Sequence, residues 1–436
     1  MNKNAFRCTL ALATFACPLL VIYGQTIATP AVSQDSPKGE IRASSVKLPD
    51  PSGPFGIGRV GYEWMDASRP NAYSMDPVAP DVHNTPRALM VYLWYPSQRQ
   101  AARNKGDYLP GAKQMDADPA VQPLIKEEFG NVWPLILSGD LKSHALENAP
   151  IARSPRTFPV VIFSHGTGGT GFEYTTLIED LVSHGYVVAS IEHPGMAFAV
   201  VFPDGKVVPP RKDTTPAGLS PEQRMQHMMA SAGLEIAQDA EDMVFVLNKL
   251  AALNQSEEKS FPLSGRLDLT RVAAAGHSAG GANAARACQL DARIRACVSF
   301  DGSLPPAVAF PEFPDKKGFS QPVLLLEVDH TGDRMPFPLA QYNAFLKKKE
   351  AQLILCPPDS YDVVLKSAGL FHGSFSDYRL FAANGRPQET NEALHNLQLI
   401  ESYTRAFLDK TLKQEKEPLL DAPLQSTEAK VKKYGL

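Results

Sequence analysis

The 436-residue chain is short of the features that mark several functional classes. Its 43 Lys and Arg are outnumbered by 47 Asp and Glu, for a formal net charge of -4, and no dense basic stripe occurs outside the extreme termini. That argues against a nucleic-acid partner and leaves a small molecule. Cysteine is scarce, with five in all, and Cys8 and Cys17 lie in the leader. The remaining Cys288, Cys297 and Cys356 are an odd number, which excludes a dense disulfide framework and allows one bridge at most. Cys288 and Cys297 fall on an expected helix and the strand after it, where they read as core residues. No internal repeat is present. Nor is there a set of His, Cys and carboxylate residues at metal-ligand spacing, so no metal or other cofactor is expected.

Long apolar runs are missing with one exception. Residues 8–24 hold no charge over seventeen positions, follow the basic start MNKNAFR, and lead to the small residues that end at Ala28. Basic, apolar, then small is the order of a secretory signal peptide over 1–28, and the expected location is periplasmic or secreted. A retained anchor is the alternative, although Pro18 interrupts the run. Lipidation at Cys17 would call for Leu where Thr14 stands. Residues 29–50 are polar and proline-containing, and read as a flexible leader. At the other end, 413–436 read as a charged tail, frayed or extended.

The rest, 51–412, is ordinary globular composition with 44% hydrophobic residues. Residues 86–96 are a β-rich run, whereas 97–157 read as loop and short helix without a chemical motif. From Thr157 the rhythm changes. FPVVIFSH, YVVASIEH, RVAAAGH, RACVSFDG and PVLLLEVDH are apolar strand runs, separated by helical stretches. Strands apolar on both faces that alternate with helices predict a mostly parallel sheet covered on both sides. Residues 196–220 break the rhythm with turn formers and suggest a lid or pocket wall. A long helix is expected from Pro221 to Leu253, with Ser220 as N-cap. A further strand is expected near 352–356, and a closing helix over about 390–412.

Within this frame Gly276-His277-Ser278-Ala279-Gly280 follows an apolar strand and precedes a small-residue helix. Only very small residues fit two before and two after a serine held on so sharp a turn, and the helix aims its free N–H groups and positive dipole end at it. This strand–turn–helix context predicts an α/β-hydrolase fold with Ser278 as nucleophile. The loop Ser164-His165-Gly166-Thr167-Gly168-Gly169 leaves an earlier strand at the place where the second oxyanion donor arises. The expected donors are the backbone N–H groups of Thr167 and Ala279. His165 reads as a structural residue of that loop, and His277 as pointing away from the active face.

In this fold the base follows the nucleophile in the chain, which leaves His330, His372 and His395. His395 lies in the last amphipathic helix, and His330 directly follows a strand, where an acid is usual. His372 sits in a loop after a strand, mobile enough to swing between serine and leaving group, and is the expected base. For the acid, Asp301 at the end of one strand stands against Asp329 and Asp333 at the end of the next.

Together GPFGIGRVGY, VYLWYPSQ, FPVVIFSHGTGG, SHGYVVASIEH, RVAAAGHSAGG, RIRACVSFDGSLPP and LFHGSFSD, in this order over about 53–412, resemble the plasma-type platelet-activating-factor acetylhydrolase family. The resemblance implies Asp301 as the acid, His372 as the base, donors at Thr167 and Ala279, and no metal. Family members carry Phe where Ala279 stands, so acyl-chain preference does not carry over, and no amphipathic helix for docking on a lipid surface is evident. The function so implied is a serine esterase acting through an acyl-enzyme on short or oxidised acyl esters, phospholipid sn-2 acetyl esters among them. An acyltransferase or thioesterase with the same triad is the alternative. A non-catalytic lipid-binding envelope protein is the rival outside enzymes.

Overall fold

A computed structural model describes residues 46–435 apart from 75–80, 100–104, 212–214, 257–260, 303, 305–317, 331–338, 384 and 422–425. The expected signal peptide, most of the leader and Asp333 lie outside the described residues. No helix among the described residues is long and apolar enough to cross a membrane.

The apolar runs become the strands of one sheet. They are β1 (Gly56–Ser74), β2 (Asp81–Ser97), β3 (Lys105–Asp107), β4 (Lys142–Glu147), β5 (Phe158–Ser164) and β6 (Val187–Glu192), with a separate small pair β7 (Val200–Val201) and β8 (Val207–Val208). The sheet continues with β9 (Leu267–His277), β10 (Ile294–Phe300), β11 (Val323–Val328), β12 (Ser360–Leu365) and β13 (Ala429–Tyr434). Its order is β13-β12-β11-β10-β9-β5-β6-β2-β1-β4-β3. The six strands from β12 to β6 are parallel, and the long β1–β2 hairpin joins them antiparallel through β2.

Among the described residues five longer helices cover it: α1 (Thr175–Ser183), α2 (Pro221–Gln255), α3 (Ala279–Leu290), α4 (Leu339–Ile354) and α5 (Pro387–Leu408). Successive residues of a central strand serve opposite layers. Val272 and Ala274 of β9 pack with Met243, Leu247 and Leu250 of α2 and Ala284 and Ala285 of α3. Ala273 and Ala275 face the layer holding Leu177 and Leu181 of α1 and Ile400 and Phe407 of α5. Helix α2 is 35 residues long, roughly 50 Å at 1.5 Å per residue. It starts at a capping box, in which Ser220 Oγ accepts from Gln223 N and the Gln223 side chain accepts from Ser220 N. Cys288, Cys297 and Cys356 are buried and unbridged in the α2–α3 layer.

Several expectations change. The tail does not fray, because Ala429–Tyr434 pairs antiparallel with β12, Val431 opposite Val363. Ala429 and Val431 face the layer of α1 and α5, Tyr434 faces the opposite layer, and Lys432 pairs with Glu350. The strand expected near 352–356 is the end of α4 and a turn, with Ile354 and Leu355 exposed; the strand begins at Ser360. Segment 97–157 contains β3 and β4 as well as short helices, and Ser143 and Ala145 of β4 alternate inward. The end of the leader is anchored, since Leu48 is buried in the core. Within 196–220, Met196 to Val200 are buried and form a wall more than a flap.

If β13 shields the edge of β12, ending the chain after Asp421 should lower the urea midpoint and raise the fraction of higher oligomers by light scattering, because β12 then presents unpaired N–H and C=O groups. An unchanged midpoint and a monodisperse sample would show that the tail strand is dispensable.

Candidate active site

The turn between β9 and α3 is built by exclusion of side chains. A β-carbon at Gly276 would collide with the Gly280 backbone, and one at Gly280 with the carbonyl oxygens of Ser164 and His165. Ser278 between them takes φ 58°, ψ -119°, a conformation rare for a residue with a side chain. Its N–H is held by the Phe300 carbonyl at 2.9 Å, so the strain is supported from β10. Strand order brings the other residues to the same edge. His372 follows β12 and opens a short 3-10 turn, and Asp301 follows β10.

These residues form one array. His372 Nδ1–H donates to Asp301 Oδ2 at 2.6 Å, which leaves Nε2 to accept from the Ser278 hydroxyl at 3.0 Å. Asp301 is buried with φ 46°. Burial alone would raise its pKa, but hydrogen bonds from His330 and His372 outweigh it and hold the carboxyl well below the usual range. The Val328 N–H (3.3 Å) and His330 Nε2–H (3.0 Å) complete its shell. Asp329 instead bonds the Leu365 carbonyl through its N–H and pairs loosely with Lys366 at 3.9 Å. His330 therefore stands at the acid's alternative position but donates to the acid on the neighbouring strand. His395 pairs with Glu428 at the surface.

The loop after β5 lies against the serine, for a β-carbon on Gly166 would be 3.4 Å from Ser278 Cβ. Thr167 is framed by Gly166 and by Gly168, whose φ is 77°. The buried wall 196–200 clamps the loop on both sides, with Gly168 N donating to Met196 O (2.8 Å) and Phe198 N to Gly169 O (2.9 Å). Ala279 is the first residue of α3, and its N–H is one of the helix's free donors. His165 bonds the Gly166 carbonyl at 2.7 Å. Burial, followed by the charge of His193, pushes its ring down to about 3, so it stays neutral.

Two expectations about histidines are corrected. His277 does not point away: its ring lies 4.6 Å from that of His372, Nε2 is 2.9 Å from the His372 carbonyl and Nδ1 is 2.8 Å from Tyr174 Oη. The His372 turn is not free to swing either, because Phe375 packs between the rings of His277 and Phe300, and Asp377 N is bonded to Glu173 O at 2.6 Å. Tyr174 escaped the sequence reading and His330 was weighed there only as a base, since no spacing marks a residue that meets the site only through the fold.

Below the loop lies a second Ser–His–Asp series, Ser164 Oγ to His193 Nε2 (3.0 Å) and His193 Nδ1 to Asp242 Oδ2 (2.9 Å), in which all three residues are fully buried. With no access for a substrate, it serves to hold the end of β5. His193, Asp239 and Asp242 converge closely enough to suggest a metal site. Arg87 at 2.7 Å and Arg69 at 2.8 Å already neutralise Asp242, so the donor set is matched by guanidinium groups instead. The other such group among the described residues, Asp409, Glu415 and Glu417, has Lys413 at 2.6 Å from Asp409.

A family model described as platelet-activating factor acetylhydrolase, isoform II, matches residues 41–418. The chain belongs to that family. Among curated relatives, the platelet-activating factor acetylhydrolase of Cavia porcellus is 28% identical over 181 residues, 38% of this chain and 39% of that one. A probable 1-alkyl-2-acetylglycerophosphocholine esterase of Arthroderma benhamiae is 26% identical over 276 residues, 60% of each chain. The chain thus spans less than two thirds of the length of these relatives. Among solved structures, a ferulic acid esterase from Streptomyces cinnamoneus superposes with a TM-score of 0.64 at 26% identity, covering 89% of this chain and 99% of its own. This platelet-activating factor acetylhydrolase family member thus shares its mostly parallel, helix-covered sheet with an esterase, as the α/β-hydrolase expectation requires.

The elbow sterics separate two glycine substitutions. Gly280→Ala meets backbone that cannot move aside and should destabilise by about 1–3 kcal/mol or more. Gly168→Ala meets nothing within 4 Å and carries only the strain of its positive φ, roughly 1 kcal/mol. Chemical denaturation of both ranks them, and a Gly280→Ala variant as stable as the parent contradicts the packing described.

Proposed function

We propose that the protein is a serine carboxylic-ester hydrolase, with Ser278 as nucleophile, His372 as general base and acid, Asp301 as the residue that orients it, and the N–H groups of Thr167 and Ala279 as oxyanion donors. The observation that carries the reading is the unbroken series Ser278 Oγ–His372 Nε2–Asp301 at 3.0 and 2.6 Å, set at the N-terminus of α3. Ser278 gives its proton to His372 Nε2 as Oγ attacks the ester carbonyl. The carbonyl oxygen, now an anion, takes the two N–H groups. As the tetrahedral species collapses, His372 returns the proton to the leaving alkoxide and the acyl group stays on Ser278. Water then gives its proton to His372 and attacks the acyl carbon. Ser278 recovers the proton and the acid departs.

Asp301 suits its role because it remains a carboxylate beside the imidazolium that forms on His372. The substrates we propose are short-chain or oxidised acyl esters, with sn-2 acetyl phospholipids and aryl esters as the two subclasses to compare. Of the relatives, the acetylhydrolase supports a short acyl group, and the ferulic acid esterase adds an ester of an aromatic acid to the comparison. We further place the enzyme in the periplasm or outside the cell, on the basic, apolar and small-residue order of residues 1–28.

Release assays with p-nitrophenyl acetate, butyrate and octanoate beside a short-chain phosphatidylcholine test the assignment. Ser278→Ala should lose roughly 10⁵–10⁶ in kcat and Asp301→Asn about 10⁴, with Asp329→Asn within about 3-fold of the parent. A Ser278→Ala protein that turns over like the parent would sink the assignment. Equal losses at Asp301 and Asp329 would reopen the choice of acid.

A further inference from the structure

His277 precedes the nucleophile and is spent neither on the elbow's sterics nor on the proton transfers above, yet it is among the best-connected side chains at the site. Gly166 N–H donates to Tyr174 Oη at 3.2 Å, Tyr174 Oη lies 2.8 Å from His277 Nδ1, and His277 Nε2 lies 2.9 Å from the backbone carbonyl of His372. A carbonyl only accepts, so Nε2 carries the hydrogen. On a neutral ring Nδ1 is then an acceptor and takes the Tyr174 hydroxyl proton, which leaves the Tyr174 oxygen free to accept from Gly166. Every donor and acceptor in the series is matched in one direction, from the loop after β5 to the loop after β12.

Burial, then the neighbouring His372, pushes the His277 ring down to about 3, with Asp301 acting weakly the other way. A neutral ring is also what the mechanism tolerates, since a second cation 4.6 Å below His372 would oppose formation of the imidazolium. Two adjacent elbow residues thereby grip the same histidine. Ser278 meets its side chain at Nε2, and His277 meets its main chain.

We infer that His277 is a positioning residue, a neutral imidazole that passes a hydrogen bond from Tyr174 to the His372 carbonyl and so sets the base relative to both the serine and the oxyanion loop. The inference rests on the roles proposed above for Ser278 and His372. It makes Tyr174 the second member of the same unit, although Tyr174 touches no reacting atom. It also gives the residue before the nucleophile a chemical requirement: an N–H directed at a carbonyl, on a side chain that stays uncharged.

The test uses the full chain, with active sites titrated by a fluorophosphonate and p-nitrophenyl butyrate as substrate. Per titrated site, His277→Leu should lower kcat about 10²-fold, the scale of a misplaced catalytic group, with KM within about 3-fold. His277→Gln, which can again place an N–H on the carbonyl, should recover most of that loss. Tyr174→Phe should lose about 10-fold, and His277→Leu/Tyr174→Phe should be no worse than His277→Leu alone, since the two act as one unit. The inference is overturned if His277→Leu keeps kcat per site within about 3-fold, if Gln is no better than Leu, or if the double variant is fully additive. Should His277→Leu fail to fold, Tyr174→Phe decides, and a kcat equal to the parent's overturns the relay. Ser278→Ala is assayed in parallel. If it retains activity the nucleophile assignment fails and takes this inference with it, whereas an inactive Ser278→Ala beside an unimpaired His277→Leu sinks the inference alone.

Discussion

The contact between the turn at 276–280 and the end of β5 governs the geometry around it. Carbonyl oxygens of Ser164 and His165 stand where a β-carbon of residue 280 would be, and the Gly280 backbone stands where one of residue 276 would be. The chain can pass only without side chains, and the residue at the apex must adopt a conformation that costs about 1–3 kcal/mol. Strand pairing on both sides of β9 supplies the support, with β5 in register from Val160 to Ser164 and β10 from Ala296 to Phe300. Once Ser278 stands above the sheet edge, strand spacing of about 4.8 Å sets what can reach it. The loop after β5 arrives from one side and Asp301 after β10 from the other. The turn after β12 has to arch back over two strands. That last reach explains why the His372 segment carries so many anchors: Phe375 inside the aromatic stack, Asp377 tied to Glu173, and the His372 carbonyl on His277.

Charge around the site is sorted by burial. Asp301 is kept ionised by two histidines and a backbone N–H, not by a cation, so its negative charge remains available to His372. The full guanidinium–carboxylate pairing is placed one layer down, where Arg87 and Arg69 meet Asp242 and His193 carries the network on to Ser164. A cation within the upper group would compete with His372 for Asp301. In the lower layer the same charges act only to hold the end of β5. His165 and His277, both neutral, lie between the two layers.

Much of this was legible in the sequence because the strongest signals come from sterics. Small residues at 276 and 280, a run apolar on both faces before them and a helix after them have one reading together, and the Gly-rich loop after β5 follows from it. What stayed hidden depended on pairing across the sheet. Asp301 and Asp329 end adjacent strands, and position along the chain does not say which turns toward the base. The answer lies in the turn at Asp301, whose positive φ no sequence pattern announces in a residue of that type. The tail strand was obscured by its lysines, although AKVKKY alternates as an edge strand does. QLILC, four apolar residues and a Gln, looked like the strand that SYDVVL is. Helix α4 ends there, and two of those apolar side chains are exposed because a turn has to follow.

A consequence follows for specificity. Both proposed oxyanion donors are backbone N–H groups, and the serine's placement depends on the absence of side chains at 276 and 280. The reaction is thus written into main-chain geometry that many sequences can hold, consistent with a TM-score of 0.64 at only 26% identity to the ferulic acid esterase. Choice of ester has to come from the side chains around the edge, and these differ in kind from the elbow. Phe371 is partly exposed beside His372, with Tyr378 edge-on to it and Arg379 over its face. Met196 and Phe198 belong to the buried wall that clamps the loop after β5, and Ala279 beside Ser278 offers only a methyl group. Phe198 also packs edge-on against Phe129 in the core, so the exposed Phe371 is the member of this group that the fold constrains least. Main-chain geometry therefore underlies the proposed reaction, and the choice of acyl group is left to side chains, which the elbow does not constrain.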